Sequence, residues 1–314
     1  MRIDVIANTN ARAYRRDPSL LSGVHKITTG RANVHVTRHV EDLASICEGI
    51  AERGSDLVVI SGGDGSFMYG VTALARVFEP RKLPRIALLP TGTVATVARN
   101  FGLNGPPLEL LKRLIHRPDD FETKRNMSLR VRQTLGAETT ERIGFMFGTG
   151  LVAHFMDIYY ADGALGYPGA ARIATRVFLD SFYGGPYARR VLTPMPCTIE
   201  SNGAQLGGDR WSLICAAAIR KLGIGMNITY RAGEDLERVH LIASQLPPYA
   251  LGPQALPVLL GKPIGGAGHV DDLFTSFIVR FAPDGPYVLD GDALRASEVH
   301  VSAGPPLDLV SLPS

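Results

Sequence analysis

The chain has 314 residues, of which 45% are hydrophobic, and its formal net charge is +3. A chain of this length can bury a large core and exceeds most single domains, so we expect two domains. The nearly balanced charge gives no electrostatic case for a nucleic acid partner, and we expect none. The longest apolar segment is too short to span a bilayer, and the N-terminus lacks the apolar stretch of a signal peptide. The three cysteines show no spacing typical of metal ligands. We therefore expect a cytoplasmic protein.

Strands alternate with helices in the first part of the chain. Apolar runs predict buried strands at 3–7, 34–37, 57–60 and 85–89, and apolar residues recur at helical spacing in 40–51, 71–78 and 94–101. This alternation predicts a mainly parallel sheet with right-handed crossovers, covered by helices on both faces. We assign this α/β domain to residues 1–124 and expect ligands at the carboxyl ends of its strands.

The periodicity changes after Phe121. Alternation with a period of two residues predicts strands with few intervening helices, at 127–133, 142–147, 191–200, 211–219, 227–231, 239–243, 275–281 and 298–302. We therefore expect a mostly antiparallel second domain, a β-sandwich, over residues 125–301, with a helical insertion between Val152 and Phe182. The C-terminal segment, residues 302–314, is expected to return to the first domain.

Three glycines and one carboxylate follow the third predicted strand, in the sequence GGDGS. Gly62, Gly63 and Gly65 allow the backbone to turn N–H groups toward an anion, and the helix that follows adds its positive end, which Ser66 can cap. Asp64 would repel phosphates unless a magnesium ion or a substrate hydroxyl lay between them, so it favours phosphoryl transfer. The alternative is a glycine-rich turn whose aspartate only caps backbone groups.

A second loop, PTGT at residues 90–93, also follows a predicted buried strand and precedes a predicted helix. By itself it would be a turn with a threonine cap. Because neighbouring parallel strands end at one edge of a sheet, Gly92 and Thr93 would direct N–H groups into the same crevice as the first loop. The two loops together predict a nucleotide site.

These loops, with LDGD at residues 289–292, resemble the diacylglycerol kinase catalytic-domain family, which includes sphingosine kinases and bacterial lipid kinases. The resemblance follows the motif order over nearly the whole chain and is specific in the first hundred residues and near the C-terminus. It implies a Rossmann-like first domain and a β-sandwich second domain. It also implies a kinase that uses ATP and Mg²⁺ to phosphorylate a lipid hydroxyl, diacylglycerol-like or sphingoid.

The resemblance assigns roles residue by residue. Asn8 and Thr37 match nucleotide-contacting positions at the ends of the first two strands, and Thr93 matches the threonine of the second loop. Asp292 stands where the family has a glutamate that is the proposed general base, and Asp64 competes for this role. The first-loop matches are Gly63, Asp64, Gly65 and Ser66, the last in place of the usual threonine.

Two further assignments are less direct. Asp235, in the segment Glu234–Leu236, is the counterpart of a magnesium-binding segment of bacterial relatives, and we carry it over as a candidate metal ligand. The LDGD motif also has a purely structural interpretation, as a tight turn between the strands 287–289 and 298–302.

The chain departs from the family at four polar positions. Met68 and Tyr69 replace an Asn-Glu pair after the first loop, and Ala95 and Thr96 replace an Asn-Asp pair after the second. If those groups reach the nucleotide or its metal, each loss would cost about 1 to 3 kcal/mol. Two alternatives therefore stay open: a catalytically weakened nucleotide-binding or lipid-binding relative, and a kinase of a soluble acceptor such as NAD.

The expected partners follow from the lipid kinase hypothesis. Bulky apolar residues are frequent in 155–183, and basic residues that could attract anionic headgroups lie within this stretch or shortly after it, namely Arg172, Arg176, Arg189 and Arg190. We expect a lipid substrate and transient peripheral contact with the inner membrane face, and the sequence leaves a homodimer open.

Overall fold

The computed structural model describes residues 1–163 and 166–313. The chain divides into two compact units, one formed by Met1–Asn126 together with the segment from Pro305 onward, and the other by Met127–Gly304. The sequence prediction placed the corresponding boundaries at residues 124 and 301.

Strands and helices follow one another in this order. In the first unit and up to the second sheet, the elements are β1 (Ile3–Asn8), α1 (Arg12–Arg16), α2 (Ser19–Thr28), β2 (Asn33–Thr37), α3 (Asp42–Arg53), β3 (Leu57–Gly62), α4 (Asp64–Phe78), β4 (Arg85–Pro90), α5 (Thr96–Asn100), α6 (Pro107–His116) and β5 (Glu122–Asn126). The remaining elements are β6 (Leu129–Leu135), β7 (Glu138–Gly144), β8 (Met146–Gly150), α7 (Leu151–Ala161), α8 (Gly166–Ser181), α9 (Pro186–Leu192), β9 (Met195–Ser201), β10 (Ala204–Leu206), β11 (Arg210–Trp211), β12 (Leu213–Ala217), β13 (Val239–Ser244), α10 (Pro248–Leu251), α11 (Ala255–Leu259), β14 (His269–Phe274), β15 (Ser276–Leu289), β16 (Asp292–Ala303) and β17 (Leu307–Ser311).

The first unit is built on a six-stranded sheet with the order β2-β1-β3-β4-β17-β5. All pairs in it are parallel except the pair of β17 with β5. Every residue of β3 is buried, as expected for a parallel strand that helices cover on both faces. The predicted Rossmann-like α/β fold with a mainly parallel sheet is therefore confirmed.

The second unit contains an eleven-stranded sheet. Its main path is β14-β13-β12-β8-β15-β16-β6-β7, and β9 pairs with β15 and carries β10 and β11. The pairs are antiparallel, and β9 alternates between buried and more exposed residues along most of its length. The predicted mostly antiparallel second domain is confirmed, with its strands linked by hydrogen bonds into one sheet.

Three helices, α7 to α9, lie between β8 and β9, where the sequence predicted a helical insertion. The insertion begins one residue earlier than expected, at Leu151, and continues to Leu192. Its buried face includes Ile173, Val177 and Val191, which belong to one core cluster with Leu213 of β12. No helix within residues 1–163 and 166–313 is both long and apolar enough to cross a membrane.

A buried carboxylate joins the edge of the first sheet to a helix. Asp4 of β1 is 1% exposed and accepts hydrogen bonds from His35 Nε2 at 2.7 Å, from Arg53 Nη2 at 2.9 Å and from the hydroxyl of Ser55. Burial by itself would raise the pKa of Asp4, but the bonds from His35, Ser55 and Arg53 outweigh it and hold the pKa at about 2. The ionised form is therefore the one that stabilises the fold.

We predict that Asp4 makes the first unit sensitive to acid. Because its folded pKa lies below the unfolded value of 3.8, its contribution is complete at pH values well above 3.8 and is lost progressively as the pH falls through 3.8 to about 2. Asp4→Asn should lower the free energy of unfolding at pH 7 by about 2 kcal/mol and flatten its decline in acid. Urea unfolding at several pH values measures both effects, with the exposed Asp119→Asn as control; an unchanged acid limb in Asp4→Asn would contradict the prediction.

Candidate functional site

The first glycine loop connects the buried strand β3 to the fifteen-residue helix α4. Gly63 occupies the N-cap position with an extended backbone, and its N–H faces the Ser66 hydroxyl oxygen at 3.4 Å. A Cβ at Gly62 would lie 2.2 Å from the Cβ of Ser66, so glycine is required there for the serine to fit. This serine also accepts a hydrogen bond from Asn8 Nδ2 at 2.8 Å.

The second loop lies directly against the first. The N–H groups of Thr91 and Gly92 both donate to the carbonyl oxygen of Gly62 at 3.0 Å. A Cβ added at Gly92 would lie 2.3 Å from the Cα of Gly63, a distance that real side chains do not reach. The two loops are therefore in backbone contact at the carboxyl ends of β3 and β4, and glycine at position 92 is a condition of that contact.

The carboxylate of Asp64 connects the first loop to the helix after the second. It accepts hydrogen bonds from the N–H groups of Thr96 and Val97, each at 2.9 Å, at the start of α5. Although the residue is only partly buried, protein atoms surround its carboxyl group, and this burial raises the pKa of Asp64 against the lowering effect of the two N–H bonds. Asp64 therefore caps the start of α5, and its role in phosphoryl transfer stays a prediction.

The other predicted nucleotide residues of the first unit lie at the same sheet edge. The buried Thr37, at the end of β2, directs its hydroxyl to the carbonyl oxygen of Ala7 at 3.5 Å, and its own carbonyl accepts from Thr9 N–H at 3.1 Å. Thr93 follows Gly92 directly and is exposed. The structure therefore brings together the ends of β1 to β4 with the whole predicted set, Asn8, Thr37, Gly62, Gly63, Asp64, Gly65, Ser66, Gly92 and Thr93.

A buried polar chain beneath the loops was not predicted. Tyr14 of α1 contacts Ser61 with a hydroxyl-to-hydroxyl distance of 2.8 Å, and Ser61 contacts the Thr91 hydroxyl at 3.3 Å. The N–H of Ala13 donates to the Thr91 carbonyl at 2.9 Å, and burial raises the pKa of Tyr14. The available signal was the presence of Ser61 and Thr91, two polar residues beside apolar strand residues. Their separate partners on α1, Tyr14 and Ala13, were not recognisable from the sequence.

The structure shows the surroundings of two positions at which the chain departs from the family, Met68 and Ala95. Met68 is fully buried on the core face of α4, so this position serves packing. Ala95 precedes α5 with φ of 52°, in the left-handed region that asparagine tolerates better than alanine. An asparagine would fit this conformation, whereas this chain holds an alanine in it.

LDGD forms a two-residue turn between β15 and β16, in the second unit. Asp290 and Gly291 both have positive φ, at 49° and 90°, as a type I′ hairpin requires. The Asp290 carboxylate accepts from the N–H groups of Phe145 and Met146, each at 2.9 Å, and the Tyr160 hydroxyl donates to the Gly291 carbonyl at 2.6 Å. Asp292 is the first residue of β16 and is partly exposed. The turn alternative is therefore correct, and the role of Asp292 as a base stays a prediction.

The candidate metal ligand Asp235 lies in a loop of the second unit. Its Oδ1 accepts a hydrogen bond from the N–H of Glu237 at 2.8 Å, and the neighbouring Glu234 forms an ion pair with Arg231 at 2.9 Å. Within the described residues, no three His, Cys, Asp or Glu side chains are grouped as metal ligands would be. Magnesium binding by Asp235 stays a prediction without a second protein ligand.

The mainly parallel sheet and the two glycine loops in contact after β3 and β4 define an open α/β domain. Domains of this class bind ligands at the carboxyl ends of their strands. Residues 3–121 match the family model of the diacylglycerol kinase catalytic domain. The predicted resemblance is therefore confirmed. A comparison with curated proteins found no match.

Similar solved structures extend over the whole chain. A diacylglycerol kinase from Bacillus anthracis str. Sterne is 15% identical, with a TM-score of 0.60, over 100% of this chain and 97% of that one. A candidate diacylglycerol kinase from the same strain is 16% identical, with a TM-score of 0.69, over 100% of this chain and 95% of that one. A further candidate diacylglycerol kinase from this strain is 15% identical, with a TM-score of 0.65, over 100% of this chain and 97% of that one. At these identities the likeness establishes the shared fold.

We predict that Gly92→Ala separates the two loops. The added Cβ would meet the Cα of Gly63, so the variant should lose about 1 to 3 kcal/mol of stability and bind a nucleotide at least about tenfold more weakly. Thermal unfolding and nucleotide titration measure these effects. Gly223→Ala is the matched control, because a Cβ there meets nothing within 4 Å. Nucleotide affinity in Gly92→Ala equal to that of the control would contradict the prediction.

We also predict that Asp290 stabilises the second unit through its two N–H partners. Asp290→Ala leaves the N–H groups of Phe145 and Met146 without their acceptor and should cost about 2 to 4 kcal/mol. Asp290→Asn keeps one acceptor oxygen and tolerates the positive φ, so it should cost about half as much. Urea unfolding of both variants is the measurement, and equal losses in the two would argue against this role.

Proposed function

We propose that the protein is a lipid kinase that transfers the γ-phosphoryl group of ATP to a lipid hydroxyl, diacylglycerol-like or sphingoid, in the presence of Mg²⁺. The backbone contact of the two glycine loops is the observation that carries the proposal. The family match over residues 3–121 supports a kinase with the same type of catalytic domain.

The residues at the loops suit the phosphates of a nucleotide. The first N–H groups of a helix have no partner within it, so the start of α4 offers donors and positive potential to an anion. Gly63 and Gly92 place no side chain beside these donors, and a Cβ at Gly92 would collide with the Cα of Gly63. The exposed hydroxyl of Thr93 adds a further donor beside Gly92.

Magnesium fits this site as part of the nucleotide complex. Mg²⁺ in kinases is held by substrate phosphates, water and one or two carboxylates, so a cluster of three protein ligands is not required. When bound, it would neutralise charge on the phosphates. Asp64 already accepts two N–H bonds, so we assign it to positioning α5 relative to the first loop.

Asp292 is then the proposed general base. In this role it accepts the proton of the lipid hydroxyl while the hydroxyl oxygen attacks the γ-phosphorus and ADP leaves. Its side chain is one methylene shorter than the family's glutamate, so the transfer requires a small backbone shift or one intervening water.

The buried Met68 favours a second candidate, a relative that binds nucleotide or lipid with weak catalysis. The family has a polar residue at this position, whereas Met68 packs into the core of the first unit. The two candidates differ in phosphoryl transfer and agree in nucleotide binding.

The test is phosphoryl transfer from labelled ATP to diacylglycerols, sphingoid bases and monoacylglycerols, with NAD and sugar phosphates as soluble acceptors. We expect transfer to one lipid class. Asp292→Asn should lower kcat by at least about 100-fold, with ATP affinity changed less than about threefold. Asp284→Asn on the same hairpin, where Asp284 pairs with Arg295 at the surface, is the matched control.

Each other outcome has a definite meaning. Transfer only to NAD or a sugar phosphate would replace the lipid acceptor, and nucleotide-dependent stabilisation without any transfer would support the weakly catalytic relative. Unchanged turnover in Asp292→Asn would remove Asp292 from the role of base.

A further inference from the structure

The helix α8 of the second unit has two chemically different faces. Its buried face consists of residues spaced by three and four along one side, namely Gly166, Ala170, Ile173, Val177 and Ser181. A second row at helical spacing is exposed and continues beyond the end of the helix. It begins with two arginines and ends with two apolar residues, Arg172, Arg176, Leu179 and Tyr183.

Exposed apolar residues continue on the neighbouring short helices. A Cβ at Gly252, directly after α10, would lie 2.2 Å from the Cβ of Ser181, so the end of α8 and the region of α10 are closely packed. We call the exposed large side chains of this region the apolar helical surface. They are between 45% and 90% exposed and comprise Leu179, Phe182, Tyr183, Tyr249, Leu256, Leu259 and Leu260.

Basic side chains accompany this surface. Residues 166–192 and 245–262 contain one acidic residue, Asp180, and its carboxylate is engaged by the N–H of Ala188 at 2.7 Å. The guanidinium of Arg176 lies over the ring of Tyr187 at 4.0 Å. The basic residues of the same segments are all exposed, namely Arg172, Arg176, Arg189, Arg190 and Lys262.

We propose that the apolar helical surface docks on an anionic phospholipid bilayer, with its apolar side chains among the acyl chains and its basic side chains at the headgroups. Exposed aromatic and leucine side chains beside arginine and lysine form the pattern that binds at such interfaces. The charge selects anionic lipid, since each basic residue near such a surface contributes about 1 kcal/mol. Access to a lipid acceptor as the purpose of docking rests on the proposed function, whereas the docking itself does not.

A second copy of the chain is a poorer occupant. Symmetric dimers bring the same patch of both subunits together, so these five basic residues would face their own counterparts. The like charges would oppose such contact.

Vesicle co-sedimentation without ATP or acceptor tests the proposal. We expect binding to vesicles of phosphatidylglycerol with phosphatidylcholine and at least about tenfold weaker binding to phosphatidylcholine alone. Phe182→Ser with Tyr183→Ser should weaken partition by at least about tenfold, and Arg172→Gln with Arg176→Gln by about 25-fold. Val40→Ser with Leu135→Ser, which changes exposed apolar residues elsewhere, is the control and should alter partition by less than about twofold.

Circular dichroism and the melting temperature establish that each variant is folded. Absence of binding to phosphatidylglycerol vesicles, or equal binding of all variants, would overturn the proposal. Concentration-dependent dimers that Phe182→Ser with Tyr183→Ser abolishes, without vesicle binding, would assign the surface to a second copy instead. Nucleotide-dependent stabilisation and transfer to a dispersed short-chain lipid report on the proposed function separately, so the two failures can be distinguished.

Discussion

The close approach of two backbones, at Gly63 and Gly92, is the constraint on which the candidate site depends. Nothing larger than a hydrogen fits on the Cα of Gly92, because a Cβ would lie 2.3 Å from the Cα of Gly63. Two N–H groups of the second loop share the carbonyl of Gly62, which holds the loops in register. A side chain at this point would force the two strand ends apart.

Polar contacts around this point hold the loops from both sides. From one side Asp64 binds the first N–H groups of α5, and from beneath the hydroxyls of Tyr14, Ser61 and Thr91 form a buried chain. A short helix of five residues has little stability of its own, so the carboxylate of Asp64 supplies much of what defines the start of α5. The left-handed backbone of Ala95 is one cost of this arrangement.

The sequence predicted most of what depends on local pattern. Strand ends with glycine loops place the site at the sheet edge, and periodicity separates a parallel from an antiparallel unit. The sequence could not predict the hydrogen-bond partners of Asp64. Thr96 and Val97 lie more than thirty residues away along the chain, and only folding brings their N–H groups to the carboxylate. Tyr14 was missed for the same reason, since one tyrosine in a basic segment carries no periodic signal.

The structural role of Asp290 and Gly291 in the LDGD turn is separate from the function that we propose for Asp292. Asp290 and Gly291 supply the positive φ of the turn, and the Asp290 carboxylate ties it to β8 through Met146. The residues that form and anchor the turn precede Asp292, which is the first residue of β16. The turn therefore fixes the backbone from which the Asp292 side chain projects. A carboxylate held in this way would suit the general base that we propose, because a base must be positioned within reach of the proton it accepts.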